Sequence, residues 1–456
     1  MTGSCDIIIT GDDFDRLMAH LYPGDEDEHG AVLTAGVVTI ENGLRLVVRS
    51  VELAEPGSDY VAGTIGYRAL HPSFIHRHIT RCRDERLAYL AVHNHDSDTS
   101  VAFSRIDMAS HERGYPALRD IGRGVPIGAL VFGRRAAQAD IWMPDGSRLG
   151  LRELRVIGRS VRRLYPSPRS RRHVTAEHDR QILMLGPHGQ AMLRDARVAV
   201  IGLGGIGSLV AEYLGRLGVG DIVLIDPDQI EDSNLSRVVG AQSADVAAGL
   251  DKVAIAARHL HEVDDGKAVR LLADDVAKRS VSATLRDCDF LFLAADSMRA
   301  RLVFNALVHQ YLIPGVQLGA KVRTTATGDI DNAMSAIRDV RPGHGCLWCN
   351  QLIDPSQLAI EAKSDQERKD QAYGVGVPNP SVITLNAVAA AHAVNDFLFY
   401  FLELHEDEQP ATYRHLHAIG PGAARVTPRR DPTCRDCSAA GRFGRGDALP
   451  LPGSDA

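Results

Sequence analysis

The sequence predicts an α/β protein of two folded units: an N-terminal α+β unit, then a doubly wound parallel sheet. Three observations carry this. From about residue 175, apolar strand-like runs alternate with helical patterns, the signature of βαβ units. One of those runs, Arg197 to Ile201, leads straight into the glycine-rich loop Gly202-Leu203-Gly204-Gly205-Ile206-Gly207. Before residue 160, β-branched runs are separated by turn signals instead. At 456 residues the chain has room for two or three cores.

The first unit is expected over residues 1–160. Asp13 to Leu21 reads as a short helix. Ala31 to Ile40 and Leu44 to Leu53 read as strands parted by Glu41-Asn42-Gly43. Phe74 to Arg83 reads as a helix and Leu87 to Val92 as a buried strand. Ile127 to Phe132 and Ala139 to Met143 are further strands, closed by Pro144-Asp145-Gly146. Arg152 to Arg172 is rich in arginine and carries Pro166 and Pro168, so residues 161–176 are read as a basic linker, with a short helix up to Leu164.

The second unit is expected over residues 177–440. Gly207 to Leu217 is a helix, Asp221 to Asp226 a strand, Lys252 to His261 a helix, and Phe290 to Ala294 a strand. Val382 to Leu402 is a long apolar helix, expected to be buried. Residues 441–456, rich in Gly, Pro and Asp, are expected to be a disordered tail.

Composition excludes several classes. Apolar content of 45% and charged content of 24% are those of a globular protein. The net charge of -7 gives no reason to expect a nucleic-acid partner. No run of about 20 apolar residues suggests a membrane span. The N-terminus lacks a basic region followed by an apolar one, so a cytoplasmic location is expected.

The glycine loop suits a phosphate. Its glycines let the backbone turn tightly, and the following helix offers its N–H groups and positive end. Asp226 ends the next strand, where an acid can bind ribose hydroxyls. Alone, this pattern fits an NAD or FAD enzyme equally well. The residues that follow narrow it. Asp226-Pro227-Asp228-Gln229-Ile230-Glu231-Asp232-Ser233-Asn234-Leu235-Ser236-Arg237 resembles the D-x-D-x-[VI]-x-x-S-N-L-x-R segment of the ThiF/MoeB/HesA family, which includes bacterial relatives of ubiquitin-activating enzymes. Gly249-Leu250-Asp251-Lys252 matches its G-x-x-K motif, and Ala295-Asp296-Ser297 its acidic strand end. Asp179-Arg180-Gln181 with Gly189-Gln190 resembles its entry helix.

This resemblance covers residues 175–440 and implies a Rossmann-like, ThiF-type domain that adenylates a carboxylate with ATP and Mg²⁺. Adenylation builds charge on phosphoryl oxygens, which cations must neutralise. The resemblance implies that Arg237, Lys252 and Arg180 supply that charge. It implies that Asn234 holds a phosphate or ribose oxygen and Asp296 the Mg²⁺. Gly202, Gly204, Gly205, Gly207, Asp226 and Asp228 complete the nucleotide site. It also implies a homodimer, with Arg180 acting in the partner's site.

The seven cysteines are Cys5, Cys82, Cys288, Cys346, Cys349, Cys434 and Cys437. The last four form two C-x-x-C pairs. Such pairs suit tetrahedral Zn²⁺, and also fit a redox pair or two unrelated thiol pairs. The resembled family carries two such pairs, which implies a structural zinc site of four cysteines. Many family members carry a further cysteine between the pairs; here Asn350 to Thr433 holds none. The matching stretch lies near Lys369-Asp370-Gln371-Ala372-Tyr373-Gly374-Val375-Gly376. A thioester within this chain is therefore not expected, and an acceptor cysteine on a separate conjugating protein is.

In the first unit, His93-Asn94-His95 is followed by Ser104-Arg105-Ile106-Asp107. This resembles the H-x-H…S-x-x-D motif of JAMM/MPN+ (JAB) metalloproteases. Two departures stand out: the spacer is one residue longer than the commonest form, and Asp96 replaces a proline. The resemblance implies an MPN/JAB-like fold with a catalytic zinc on His93, His95 and Asp107, leaving a position open for water. It implies Glu28 as general base, with Asp25, Glu26 and Asp27 as neighbouring candidates, and Ser104 as oxyanion donor. His111 is expected on a helix face. A metal-free scaffold with the same fold stays open.

Together the two resemblances imply trimming and activation of one ubiquitin-like protein, or removal of its conjugates, in a chain whose Ala/Arg-rich composition reads as bacterial. Sulfur-carrier activation for cofactor or amino-acid biosynthesis, peptide tailoring by adenylation, and an inactive ubiquitin-like-binding scaffold are the alternatives.

Overall fold

The structure is a computed structural model that describes residues 3–25, 27–41, 43–61, 69–168, 178–264, 266–325, 327–362, 380–404, 412–420 and 422–455. The chain divides into two compact units. The first comprises residues 1–170, 309–312 and 437–450, and the second residues 171–308, 313–436 and 451–456. No described helix is long and apolar enough to cross a membrane.

The first unit holds strands β1 (Gly3–Thr10), β2 (Gly30–Ile40), β3 (Gly43–Leu53), β4 (Ala88–Asn94), β5 (Ile127–Phe132), β6 (Ala137–Trp142), β7 (Arg148–Ile157) and β8 (Val161–Leu164). Its helices are α1 (Gly11–Leu21), α2 (Pro72–Glu85) and α3 (Arg105–Gly122). The strand order is β1-β3-β2-β4-β5-β6-β7-β8, and pairing of β1 with β7 closes the sheet into a barrel. Alternation sorts the side chains. Leu33, Leu46, Leu90, Leu130, Ile141 and Leu154 join Phe14 and Leu17 of α1 in one core cluster. Val32, Tyr89 and Ile127 point the other way and pack with Phe74 and Ile79 of α2.

Two expectations for this unit fail. The arginine-rich stretch is not a plain linker, because β7 and β8 occupy Arg148 to Leu164 and no helix leads to Leu164. Leu154, Val156, Val161 and Leu164 turn inward, while several arginines of these strands pair with acids. Arg152 Nε donates to the buried Asp6 at 2.7 Å, and Glu153 takes Arg155 and Tyr165. Residues 169–177 of the expected linker lie outside the described residues. The expected disordered tail is ordered through Asp455. Within the first unit the Arg49 guanidinium donates to the carbonyls of Ala439, Gly441 and Phe443, and Thr39 N–H to Asp447 at 3.1 Å. Within the second, Ser454 N–H donates to Ala277 O at 3.0 Å. The tail's glycines serve backbone geometry: Gly444 and Gly446 have φ of 62° and 52°.

The second unit holds β9 (Arg197–Ile201), β10 (Asp221–Ile225), β11 (Ala268–Leu272), β12 (Phe290–Leu293), β13 (Gly315–Thr324), β14 (Ile330–Val340), β15 (Tyr413–His417) and β16 (Ala423–Val426). Its helices are α4 (Asp179–Asp195), α5 (Gly205–Arg216), α6 (Ser243–Ala248), α7 (Lys252–Val263), α8 (Arg279–Ser282), α9 (Met298–Gln310), α10 (Pro355–Glu361) and α11 (Ile383–Phe401). The order is β11-β10-β9-β12-β13-β14-β15-β16, parallel as far as β13 and antiparallel beyond. The helix expected over Val382 to Leu402 is α11, packed on α5, β13 and β14. The strand order reverses between β9 and β12, the switch point where doubly wound sheets open a crevice.

Candidate functional site

The crevice is built by two strand ends. After β9, Gly202 takes a φ of 90°, and a Cβ there would sit 2.6 Å from Ala295 N. Ala294 and Ala295, just past β12, both donate to Ile201 O, at 2.8 and 3.0 Å. A Cβ on Gly207 would lie 1.7 Å from Gly202 O, so only glycine lets the loop fold onto α5. Gly204 is the N-cap of α5 and Gly205 its first residue. The free N–H groups of that helix end face an anion readily.

Asp226 and Arg237 reach this loop, and Lys252 reaches Asp226. Asp226 accepts the N–H groups of Leu203 at 2.6 Å and Asp228 at 2.9 Å, so its carboxylate anchors the loop rather than standing open for a ribose. Burial pushes its carboxyl up, against those bonds and Lys252. Lys252 Nζ lies 2.8 Å from Asp228 and 3.9 Å from Asp226. Asn234 is buried in a 3-10 turn and bonds Glu231 N and Ser233 Oγ. Arg237 donates to Ser233 O at 2.5 Å, and its Cδ would lie 3.2 Å from a Cβ on Gly205. Asp296 is exposed just beyond β12, and Arg180 is exposed near the start of α4.

Two further residues escaped the sequence reading. Asn386 is 2% exposed on α11, and its Nδ2 would sit 2.2 Å from a Cβ on Gly205. The signal was a lone amide in an apolar helix. Arg301 on α9 feels Asp296 and Glu361, and burial pushes its guanidinium down. Glu361 itself accepts Met298 N and Arg299 N at 2.9 Å each, capping α9 beside Asp296. The segment Lys369 to Gly376 lies outside the described residues.

The four paired cysteines converge. Cys346, Cys349, Cys434 and Cys437 are buried, free of disulfides, and have sulfurs within 4.8 Å of one another. Cys346 Sγ lies 3.5 Å from Cys349 Sγ and 3.6 Å from Cys434 Sγ. A Zn–S bond of about 2.3 Å gives tetrahedron edges of about 3.8 Å, so this donor set fits zinc. Cys346 Sγ and Cys349 Sγ accept the N–H groups of Cys349 and Asp431 at 3.4 Å, which stabilises thiolate. Asn305 ties the pairs together, accepting Leu347 N–H at 2.8 Å and donating to Asp436 at 2.6 Å.

A second cluster lies in the first unit. His93 and His95 straddle the end of β4, and Asp107 stands on the first turn of α3. His93 Nε2 and His95 Nε2 are 3.2 Å apart, and Asp107 Oδ2 lies 3.6 and 3.4 Å from them. Two imidazoles and one carboxylate converging this way fit a zinc ion with one position open. Burial would raise the Asp107 carboxyl, but hydrogen bonds to His93 and His95 hold it well below the usual range. The Asp107 bond raises His95 in turn.

Glu28 Oε1 lies 3.8 Å from His95 Nε2. Burial pushes its carboxyl up, the direction a general base needs, while both histidines pull it back. The loop carrying it is seated by His29 N–H donating to Asn94 Oδ1 at 2.7 Å. Asp25 is turned to His29 at 2.8 Å, and Glu26 lies outside the described residues. Tyr22 OH contacts the carbonyls of His95 and Phe132 at 3.0 and 2.9 Å. His111 is buried on α3, stacked on Tyr115 and bonded to Asp140 at 2.9 Å, so it serves the helix face.

The ThiF family model matches residues 178–436. Over 134 residues the chain is 36% identical to the sulfur carrier protein ThiS adenylyltransferase of Bacillus subtilis strain 168, covering 29% of this chain and 40% of that protein. Over 276 residues it is 27% identical to ubiquitin-like modifier-activating enzyme 5 of Drosophila ananassae, covering 57% of this chain and 63% of that protein. It thus spans less than two thirds of the length of either. The fold is similar to the crystal structure of E. coli MccB, with a TM-score of 0.47 and 23% identity over 58% of this chain and 72% of that one.

Proposed function

The chain belongs to the ThiF family, and from that premise we propose that its second unit adenylates the C-terminal carboxylate of a ubiquitin-like or sulfur-carrier-like small protein, using ATP and Mg²⁺. The observation that supports this is the glycine loop at the switch point, anchored by Asp226, with Lys252 bonded to Asp226 and Asp228 and Arg237 beside Gly205. A carboxylate oxygen of the substrate attacks the α-phosphorus of ATP, a P–O bond forms, and the bond to pyrophosphate breaks. Lys252 and Arg237 neutralise the charge that builds on the phosphates. Asp296 would hold the Mg²⁺, and the N–H groups at the start of α5 would cradle a phosphate. Arg180, on the exposed start of α4, acts in the site of a second copy.

The adenylate then passes to another protein. No cysteine lies between Asn350 and Thr433, and Cys5, Cys82 and Cys288 are buried. Burial pushes the Cys5 and Cys82 thiols up to about 12, leaving them poor nucleophiles. ATP–pyrophosphate exchange with a candidate small protein tests the proposal: exchange that vanishes in Asp296→Ala supports it. No exchange with ubiquitin-like or sulfur-carrier proteins, but exchange with a short peptide, would favour peptide tailoring.

For the first unit we propose zinc-dependent peptidase or isopeptidase action of the JAMM/MPN+ type on the same class of substrate. The converging His93, His95 and Asp107 carry this reading. Zinc held by them would supply a water of lowered pKa and polarise the scissile carbonyl. Glu28 takes the water's proton and passes it to the leaving amine. Ser104 donates its hydroxyl proton to the oxyanion. Cleavage of a C-terminally extended partner should be lost in Glu28→Gln; cleavage that survives chelators sinks this reading.

A further inference from the structure

Ser104 is the N-cap of α3, three residues before Asp107. Its Oγ accepts the Asp107 N–H at 3.1 Å, and its own N–H donates to Asp107 Oδ2 at 2.7 Å. This is a capping box in which the third helical residue is a metal-ligand candidate. The oxygen it holds is the one that faces both imidazoles, 3.6 Å from His93 Nε2 and 3.4 Å from His95 Nε2. The histidines come from a strand and the carboxylate from a helix, so pairing of the strands does not set the Asp107 rotamer. A free aspartate on a first helical turn has more than one staggered χ1 available.

We infer that Ser104 is a positioning residue: its Oγ, by holding the Asp107 N–H, fixes the turn in which the Ser104 backbone N–H reaches Oδ2 and keeps that oxygen facing His93 and His95. This rests on the reading of that cluster as a metal site. It adds to the oxyanion role, because Oγ accepts the Asp107 N–H through a lone pair and keeps its own proton to donate. The preceding ring supports the cap, since Phe103 lies 6.0 Å from His93 and 5.0 Å from His111.

The test is Co²⁺ binding to the full chain, read by absorption. An N,N,O site and a thiolate site give different spectra, so each is followed separately. Ser104→Ala should weaken Co²⁺ at the histidine site about 10-fold, as loss of an orienting partner does. Ser104→Thr, which keeps the capping oxygen, should restore it to within about twofold. The four-cysteine spectrum should be unchanged in both and reports that the variants are folded. Wild-type affinity in Ser104→Ala, or equal weakness in Ser104→Thr, overturns the inference while leaving the metal reading intact. A wild-type chain that takes Co²⁺ only at its cysteines overturns both.

Discussion

The Asp226 carboxylate at the end of β10 accepts the backbone N–H of Leu203, the second residue of the glycine loop, at 2.6 Å. The loop that leaves β9 is therefore held in place by its neighbour strand before any nucleotide arrives.

Asp226→Ala should strand the buried Leu203 N–H, at a cost of about 1–3 kcal/mol. Asp226→Asn keeps an oxygen acceptor and removes a charge that burial disfavours. Thermal unfolding should therefore show a clear loss for the alanine variant and a smaller one for asparagine, and both should bind ATP more weakly. Equal stability of the two variants would show that the loop is held some other way.

Lys252 is poised between Asp226 and Asp228 and can exchange them for a phosphate. Lys252→Ala should lower ATP–pyrophosphate exchange about 100-fold, the scale of removing one charge-stabilising donor. Lys252→Arg should lose less, since it keeps the charge. Exchange unchanged in Lys252→Ala would remove it from the site.

Metal removal should act locally and strongly. Apparent zinc-binding free energies of small structural sites are on the order of 10 kcal/mol. Cys346→Ser should release this zinc alone and chelation should strip it together with that of the first unit; either should speed hydrogen exchange around residues 346–352 and 429–436. Unaltered protection after metal loss would mean that Asn305 and its bonds suffice to hold the two pairs.

The pH dependence of the first unit should report Asp140. Burial alone would raise its carboxyl, but bonds from His111, Arg148 and Trp142 win and lower it to about 2. A folded pKa below the unfolded one gives stability that is present in full above about pH 4 and lost as pH falls toward the folded value. After discounting for solvent screening of the Arg148 pair, this is on the order of 1–2 kcal/mol. Chemical denaturation of wild type and Asp140→Asn should therefore differ most at neutral pH and converge only as pH falls to about 2. A difference that stays constant with pH would place the effect in packing, not charge.

Much of this protein was legible in the chain alone. The run into Gly202, the N-terminal hairpin around Gly43, the buried helix over Val382 to Leu402 and the cysteine pairs all follow from patterns spanning a few residues. Local periodicity and turn chemistry decide such elements without help from the rest of the fold. The same locality explains the failures. Arginines between Arg148 and Leu164 look solvated until Asp6, over 140 residues away, is placed beside Arg152. The tail looks disordered until Arg49 is seen to bond the carbonyls of Gly441 and Phe443.

The sequence by itself determined the residue types of both clusters and of the crevice: His93, His95, Asp107, the four cysteines, Lys252, Arg237 and Asp296. Only the tertiary structure decided their employment. It set Glu28 beside His95 and turned Asp25 to His29. It committed Asp226 to the loop backbone, and it brought Asn386 against Gly205 from a helix far along the chain. The physical reason is that a motif names chemical groups, whereas a hydrogen bond or ion pair needs a distance. Distances between remote segments exist only once the sheets have folded.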